Sequence, residues 1–556
     1  MSYISAVTVN DNVIVYERDA ENKRIQNVYK APYYFYVDDP DGEYSTIFGT
    51  KVSKLTFKNG RDYYTTRRSC KESGMQTWES DIPPEIRVLS NFYYNKPAMK
   101  LNITFWDIEV DYNLEMGFSS PKYPYAPINS VSLFHQHRDE MVILCVPPPG
   151  QPWTAETLMQ EVDAAHALPK DFKTIIKVFP DERELLLEFL DQIEDTDLLS
   201  GWNSDFFDLP YTTKRIERTL GSTFVKRLSF PGAGAPQWNE VEFKKQINLV
   251  VNLYGRMSLD YMQLFRKYEP GERHSYKLAS IEEEVGLNLP KLNYQGSLHE
   301  LYHQDFPFFV RYNMRDSEIL RGFEQTLGYV DVASQMYHIS CGQASHVQGT
   351  LKLAELAIVN YCHHVLKQVV PNIERPDVDR KIDGAFVLLP QIGMHEQIGS
   401  IDITSLYPTA IRSVNISPEM IIGQFTATSE AHMGIINAND VQYLLEYDDE
   451  TTESKTGAEW KQHLIDNKWS ISGYGTVFSQ EKQGIIPAVL SDWFATRKKY
   501  QNDKKTANAA AVEILKKYMS EEEAIKMVSR AVTEISEILI ETSAYDDTDE
   551  EEFDEF

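Results

Sequence analysis

The run Phe105-Trp106-Asp107-Ile108-Glu109-Val110 sets two carboxylates into an otherwise apolar, strand-like segment. In an extended chain, residues two apart share a face. Asp107 and Glu109 therefore point one way, while Trp106, Ile108 and Val110 point into a core. Two like charges side by side on an apolar strand repel one another, and a cation between them relieves that cost. The plainer alternative is an edge strand with one wet face. From about 101 to 330, strand-like runs (LNITFWDIEV, NSVSLFHQH, EMVILCVPP, TDLLSGWN) alternate with helical ones (DERELLLEFLDQIE, LPYTTKRIERTL), which predicts an α/β domain.

At 556 residues the chain exceeds one core, and ~100–200 residues per domain implies about three to five units. Hydrophobic content of 42% and aromatic content of 12% suffice for several cores and exclude disorder throughout. Apolar runs such as Met141–Val146 and Ala385–Pro390 fall far short of the ~20 residues that cross a bilayer. The start, MSYISAVTVNDNVIVYE, alternates like a strand and lacks the pattern of a signal peptide, so a cytoplasmic protein is expected. Four widely spaced cysteines without a CxxC pair point away from a disulfide framework or a zinc site. Cys362-His363-His364 lies in a helix-like stretch where adjacent side chains diverge, which argues against a metal site there. The net charge of −28 decides nothing about a nucleic-acid partner. Basic runs remain at Arg67-Arg68, Lys244-Lys245 and Arg497-Lys498-Lys499, and a magnesium-dependent phosphoryl-transfer enzyme needs carboxylates of its own.

Elsewhere, residues 1 to about 100 read as short strands with turns at Asp39-Pro40-Asp41-Gly42 and Lys58-Asn59-Gly60. Residues 330–370 read as mostly helical, and a strand pair is expected at about 385–405. The acidic stretch around Tyr447–Glu453 reads as irregular. A long helix is expected from Ser491 through Leu539, then an acidic tail, YDDTDEEEFDEF.

Further segments carry polar groups that look ordinary one at a time. Gly201 to Tyr211 leaves an apolar strand at Trp202 and enters a helix near Pro210, and taken alone Asp208 is an acid at a helix N-terminus. Arg311 to Asp316 stacks Tyr312 and Asp316 at i and i+4 of a helix, which alone is a surface helix. Ser400 to Pro408, continuing into TAIRSVNISPE, reads as an apolar strand that delivers Asp402 and turns into a helix. The start of that helix exposes N–H groups suited to a triphosphate. Arg497, in WFATRKKY after Gln483-Gly484-Ile485-Ile486-Pro487, sits on a cationic stretch that alone is a solvated helix face.

Taken together the pattern changes. DIE on a strand, N-x-x-x-F-D on a loop and Y-N-x-x-x-D on a helix, roughly a hundred residues apart, resemble the three exonuclease motifs of family B DNA polymerases. D-x-x-S-L-Y-P-[ST]-x-I, beginning at Asp402, resembles motif A of that family. The flanking Gly384-Ala385-Phe386-Val387 and Asn415-Ile416-Ser417-Pro418-Glu419 resemble the replicative polymerases of T-even-type bacteriophages. This resemblance implies an α/β and α+β multidomain chain with an RNase H-like 3′–5′ exonuclease domain, a family B N-terminal domain, a partial palm and a first fingers helix. It implies an N-terminal domain over 1–100, the exonuclease over 101–330 and a helical return over 331–383. A partial palm over 384–480, partial fingers over 481–543 and an acidic tail over 544–556 follow. Asp107, Glu109, Asp208 and Asp316 would bind two Mg²⁺ (or Mn²⁺) ions, with Tyr312 orienting the attacking water. Asp402 and the Ile403 carbonyl would bind metal in a polymerase site that takes two ions once assembled. Ser405 and Leu406 would face the dNTP through backbone groups, Tyr407 would pack beneath its sugar and exclude a 2′-hydroxyl, and Arg497 would grip the triphosphate. Where the family has a Lys four residues later, this chain has Gln501.

Motif B (K-x-x-x-N-S-x-Y-G) and motif C (Y-G-D-T-D-S) have no counterpart. Asn252-Leu253-Tyr254-Gly255 lacks the Lys, and Tyr545-Asp546-Asp547-Thr548-Asp549-Glu550 continues into like charges that disfavour a hairpin. The expectation is the N-terminal subunit of a split phage polymerase. It would act in the cytoplasm of an infected bacterium on primer-template and single-stranded DNA. A complementary C-terminal subunit would supply motifs B and C and the link to a sliding clamp. A stand-alone 3′–5′ exonuclease, a non-catalytic DNA-holding or assembly subunit and a truncated sequence are the alternatives.

Overall fold

In the computed structural model, Ile103–Val110 (β1) forms the middle of a six-stranded sheet. The structure describes residues 2–521 except 112–114, 244–245, 272, 374–387 and 427–438, together with 523–525 and 528. The other strands are β2 (Ile128–His135), β3 (Glu140–Cys145), β4 (Lys173–Val178), β5 (Leu198–Ser200) and β6 (Met257–Ser258). They lie in the order β4-β3-β2-β1-β5-β6. β1, β2 and β3 pair antiparallel, whereas β3–β4, β1–β5 and β5–β6 pair parallel. Strand alternation separates two faces. Trp106, Ile108, Val110, Val131 and Leu133 pack with the helices α1 (Glu182–Gln192) and α2 (Asp208–Thr219) through Leu185, Leu186, Phe189, Leu209 and Ile216. The opposite face carries Asp107 and Glu109, paired directly across from Ser132 and Ser130. These small side chains let a long helix settle on that face. After the short helix α3 (Leu298–Gln304), α4 (Phe306–Leu327) starts at Asp305, whose carboxylate accepts from the Phe308 N–H, and ends at Gly328 with φ +63°. Ser132 Oγ donates to the Asn313 carbonyl at 3.0 Å.

The chain divides into two units. The first comprises Met1–Phe35, Leu55–Gly74 and Ile82–Asn360, and the second Tyr36–Lys54, Met75–Asp81 and Tyr361–Phe556. In the second, strands 452–456, 442–447, 421–425, 476–479 and 469–471 form an antiparallel sheet in that order. It is covered by α6 (Gly457–Asp466) around a core of Phe425, Leu445, Trp460, Leu464 and Val477. The stretch expected to be irregular is thus a hairpin: Gln442–Tyr447 pairs with Thr452–Thr456, and its acids are confined to the turn, where Asp449 accepts from the Thr451 N–H. The strand pair expected at 385–405 is not formed over 388–403. Those residues are exposed, with Leu389 84% and Ile401 97% accessible, and no described strand pairs with them to complete a ladder. Residues 384–387 lie outside the described residues. α5 (Leu406–Val414) packs on α7 (Ile485–Leu515), which starts before Ser491 and ends well before Leu539. The sequence beyond it through the acidic tail is mostly outside the described residues. The Asn415–Glu419 motif caps α7. Asn415 Oδ1 accepts from the Gly484 N–H at 2.8 Å and Glu419 Oε1 from the Ile485 N–H at 2.6 Å.

The N-terminal segment of the first unit is a three-stranded antiparallel sheet, Tyr3–Val9, Asn12–Arg18 and Arg24–Lys30. The first hairpin closes on Asn10 and Asp11, both at positive φ, which suits the right-handed strand twist. Residues 1–100 were expected to be strands alone, yet Gly60–Glu72 and Pro84–Tyr93 are helices. Asn59 caps the first, and Pro84 occupies the opening turn of the second. Arg18 ties this sheet to the six-stranded one. Its Nε and Nη2 donate to Asp197, at 2.7 and 2.8 Å, and Asp197 also accepts from the Asn102 N–H at 2.9 Å. Both side chains are buried. Asp197→Ala would leave the guanidinium buried without its main counter-charge. Urea unfolding of this unit should show a loss of about 3–5 kcal/mol.

Candidate active site

Three separate elements deliver four carboxylates to the polar face of β1. Asp107 and Glu109 come from the strand itself. Asp208 is the first residue of α2, and its Oδ1 accepts the Ile108 N–H at 3.1 Å, which ties the helix start to the strand. The connecting loop depends on Gly201 and on Asn203 at φ +64°. A Cβ on Gly201 would stand 2.8 Å from the Trp106 carbonyl oxygen and 2.7 Å from Ser204 Cβ. Asp316 arrives from α4, one turn beyond Tyr312. Oxygen atoms of Asp107, Glu109 and Asp316 lie within 4.8 Å of one another.

Two groups that sequence reasoning did not single out hold this set. Lys291 Nζ donates to Asp316 Oδ2 at 2.6 Å and sits 4.7 Å from the Tyr312 ring centroid. Asn313 Nδ2 donates to Asp107 Oδ2 at 2.8 Å, while its Oδ1 accepts from Ser130 Oγ at 2.8 Å. Asn313 stood inside a recognised motif without a role. Lys291 lies in a loop, where no periodicity could have flagged it.

Burial first, then mutual repulsion, moves the acids upward. Asp107 is raised well above the usual carboxylate range by burial and by Asp208, Asp316 and Glu109. Glu109 is pushed up to about 8 by burial and Asp316, against the pull of Lys291. Asp208 is pushed up to about 7 by burial, opposed by the Ile108 N–H. Asp316 is also raised by burial, with Lys291 opposing. For Lys291, burial lowers the pKa, but Asp316, Tyr312 and Asp107 outweigh it and the net shift is upward. Such a site holds protons at neutral pH that a divalent cation displaces. The fit to a hard cation is direct. The donors are all oxygen, and Asp316 Oδ1 is buried without a hydrogen-bond partner among the described residues.

In the second unit, Ser405 sits at φ +54° before α5, and Arg497 Nη1 on α7 donates to its Oγ at 3.2 Å. The structure therefore brings Ser405 and Arg497 together. Asp402, Ile403, Leu406 and Tyr407 are exposed, Tyr407 at 74%, and Asp402 lies on irregular backbone where a strand was expected.

The family profile described as DNA polymerase family B, exonuclease domain, matches residues 61–281, and that described as DNA polymerase family B matches residues 351–532. The chain belongs to the family B DNA polymerases. It is 26% identical over 471 residues to the DNA-directed DNA polymerase of Escherichia phage RB69, covering 83% of this chain and 49% of that protein. Its identity to the DNA-directed DNA polymerase of Enterobacteria phage T4 is 24% over 540 residues, covering 93% of this chain and 55% of that protein. A DNA polymerase delta catalytic subunit from Candida albicans is 22% identical over 352 residues, which is 58% of this chain and 29% of that protein. The chain thus spans about half the length of the phage relatives it matches. Family B polymerases and their exonucleases generally depend on divalent metals, in keeping with the oxygen donor set around β1. No helix among the described residues is long and apolar enough to cross a membrane.

Two measurements probe the carboxylate set. Because the metal-free acids hold protons up to about 7 and 8, Mn²⁺ binding should release protons, and affinity should rise with pH through that window. Calorimetry in two buffers of different ionisation enthalpy reads the release directly; its absence at pH 6.5 would contradict the raised values. Asn313→Ala removes the bond that orients Asp107 and should weaken Mn²⁺ binding by about 10–100-fold, read by electron paramagnetic resonance titration.

Proposed function

We propose that this chain is the N-terminal, exonuclease-bearing part of a phage replicative polymerase. Its first unit would remove nucleotides from the 3′ end of DNA. The reading rests on one observation above all: Asp107, Glu109 and Asp316 converge around buried, unpartnered oxygen, with Asp208 bound to the same strand. The sheet order β4-β3-β2-β1-β5-β6, with only β2 reversed against the parallel set, supports the RNase H-like designation. Asp107, Glu109, Asp208 and Asp316 would hold two Mg²⁺ or Mn²⁺ ions. When bound, such ions activate water and stabilise the leaving oxygen of the phosphodiester. Asn313 fixes the Asp107 carboxylate, and Lys291 neutralises Asp316 while it lies against Tyr312. The Tyr312 hydroxyl, its pKa raised by burial, stays protonated and can donate to water or phosphate.

For synthesis, Asp402 and the Ile403 carbonyl would bind the two polymerase ions. Ser405, Leu406, Tyr407 and Arg497 would take the dNTP. The Arg497–Ser405 bond favours this reading of α5 and α7 as neighbours at one site. The domain division follows the motifs: 1–100 and 331–383 for the N-terminal domain, 101–330 for the exonuclease, 384–480 for palm and 481–543 for fingers. Motifs B and C, and contact with a sliding clamp, would come from a complementary C-terminal polypeptide. The assembly would work on primer-template in the host cytoplasm.

With Mg²⁺, the 556-residue chain should shorten single-stranded DNA from the 3′ end, and Asp107→Ala with Glu109→Ala should abolish this. It should incorporate no dNTP until mixed with a fragment carrying motifs B and C. Persistent degradation in the double variant removes the exonuclease assignment, and incorporation by the chain alone removes the split.

A further inference from the structure

Beyond the carboxylate set, Asp111, His299 and His303 bring three donor atoms within 4.8 Å of one another. Asp111 directly follows β1 and is the next alternate position after Asp107 and Glu109. His299 and His303 are i and i+4 on α3 and share a face. His299 Nδ1 lies 2.7 Å from Asp111 Oδ1 and His303 Nε2 lies 3.4 Å from Asp111 Oδ2, with the two imidazole centroids 4.4 Å apart. Asp111 and His299 are half-buried and His303 is more open, so an ion and water can reach all three. α3 is itself anchored. A Ser297–Glu300 capping box starts it, Tyr302 Oη donates to the Val146 carbonyl at 3.0 Å, and Gln151 Nε2 donates to the His303 carbonyl at 2.8 Å.

We propose that Asp111, His299 and His303 form a second metal site, one that takes a single first-row transition-metal dication, Zn²⁺ foremost. Two imidazoles and one carboxylate suit zinc, with a fourth position open to water, whereas magnesium prefers oxygen ligands in an octahedron. Ligand bonds of ~2.0–2.1 Å in a tetrahedron put donors about 3.3 Å apart. The His303–Asp111 pair at 3.4 Å already matches this, whereas His299 Nδ1 and Asp111 Oδ1, hydrogen-bonded at 2.7 Å, would separate as the ion replaces that bond. The cysteine pattern points away from zinc, whereas the H-E-L-Y-H run of α3 offers two histidines one turn apart whose carboxylate partner lies far off in sequence. The ion would pin the end of β1, which carries Asp107 and Glu109, to α3. That helix runs through Asp305 into α4, which carries Tyr312 and Asp316. Its work is therefore to fix two carriers of the carboxylate set relative to each other. Without an ion, the triad is a hydrogen-bonded His–Asp pairing.

Co²⁺ titration of the full chain in excess Mg²⁺ distinguishes the two. The site predicts one equivalent of Co²⁺ with the intense visible absorption of a four-coordinate centre, displaced by one equivalent of Zn²⁺. His299→Ala with His303→Ala should lose the band while the circular dichroism is kept. Asp107→Ala with Glu109→Ala should retain it, so the result stands apart from the fate of the exonuclease reading. X-ray absorption of the zinc-loaded wild type should give two imidazoles in the coordination shell. No stoichiometric binding, a band that survives the double histidine variant, or a shell without imidazole overturns the proposal.

Discussion

A carboxylate removed from water costs several kcal/mol unless it is protonated, paired or bound to metal, and the first unit brings four of them to one sheet face. Much of the surrounding structure can be understood as provision for that cost. Serines at 130 and 132 keep the neighbouring strand small enough for α4 to approach. Asn313 and Lys291 each satisfy one acid, and the Ile108 N–H satisfies another. The provision is deliberately short of neutral. One ammonium among four acids leaves protons or cations to supply the rest, and the raised pKa values come first from burial and then from that deficit.

The same β1 strand divides the labour of its two faces by alternation alone. Trp106, Ile108 and Val110 bury against α1 and α2, so the strand cannot slip by one residue without exchanging core for acid. The apolar side thereby fixes the direction of the polar side. The N-terminal sheet adds a second constraint through Arg18 and Asp197, since Asp197 immediately precedes β5, the strand beside β1.

Periodicity made β1, α2 and α4 legible, because each element buries one face and leaves its functional residue on the other. It could not supply Lys291, whose loop has no period, nor the pairing of His299 and His303 with Asp111, which is a property of the folded chain. The second unit was less legible for a related reason. Residues 388–403 carry the apolar pattern of a strand, but a strand is a relation between two segments, and no described segment completes it. The acidic turn at 448–451 works in the opposite sense, its charge concealing the Gln442–Thr456 hairpin. The Asn415–Glu419 motif is legible by likeness, whereas its physical task as the cap of α7 is a property of the fold.

Gly201 bears on how such an enzyme loses a function. Its α-carbon lies so close to the Trp106 carbonyl and Ser204 that a single methyl group would push the loop ahead of α2 away from β1. Asp208 would move with it, although every carboxylate remained in the sequence. A lineage could therefore be silenced at this site while its motif strings stay intact, and inspection of the motifs alone would count it as active.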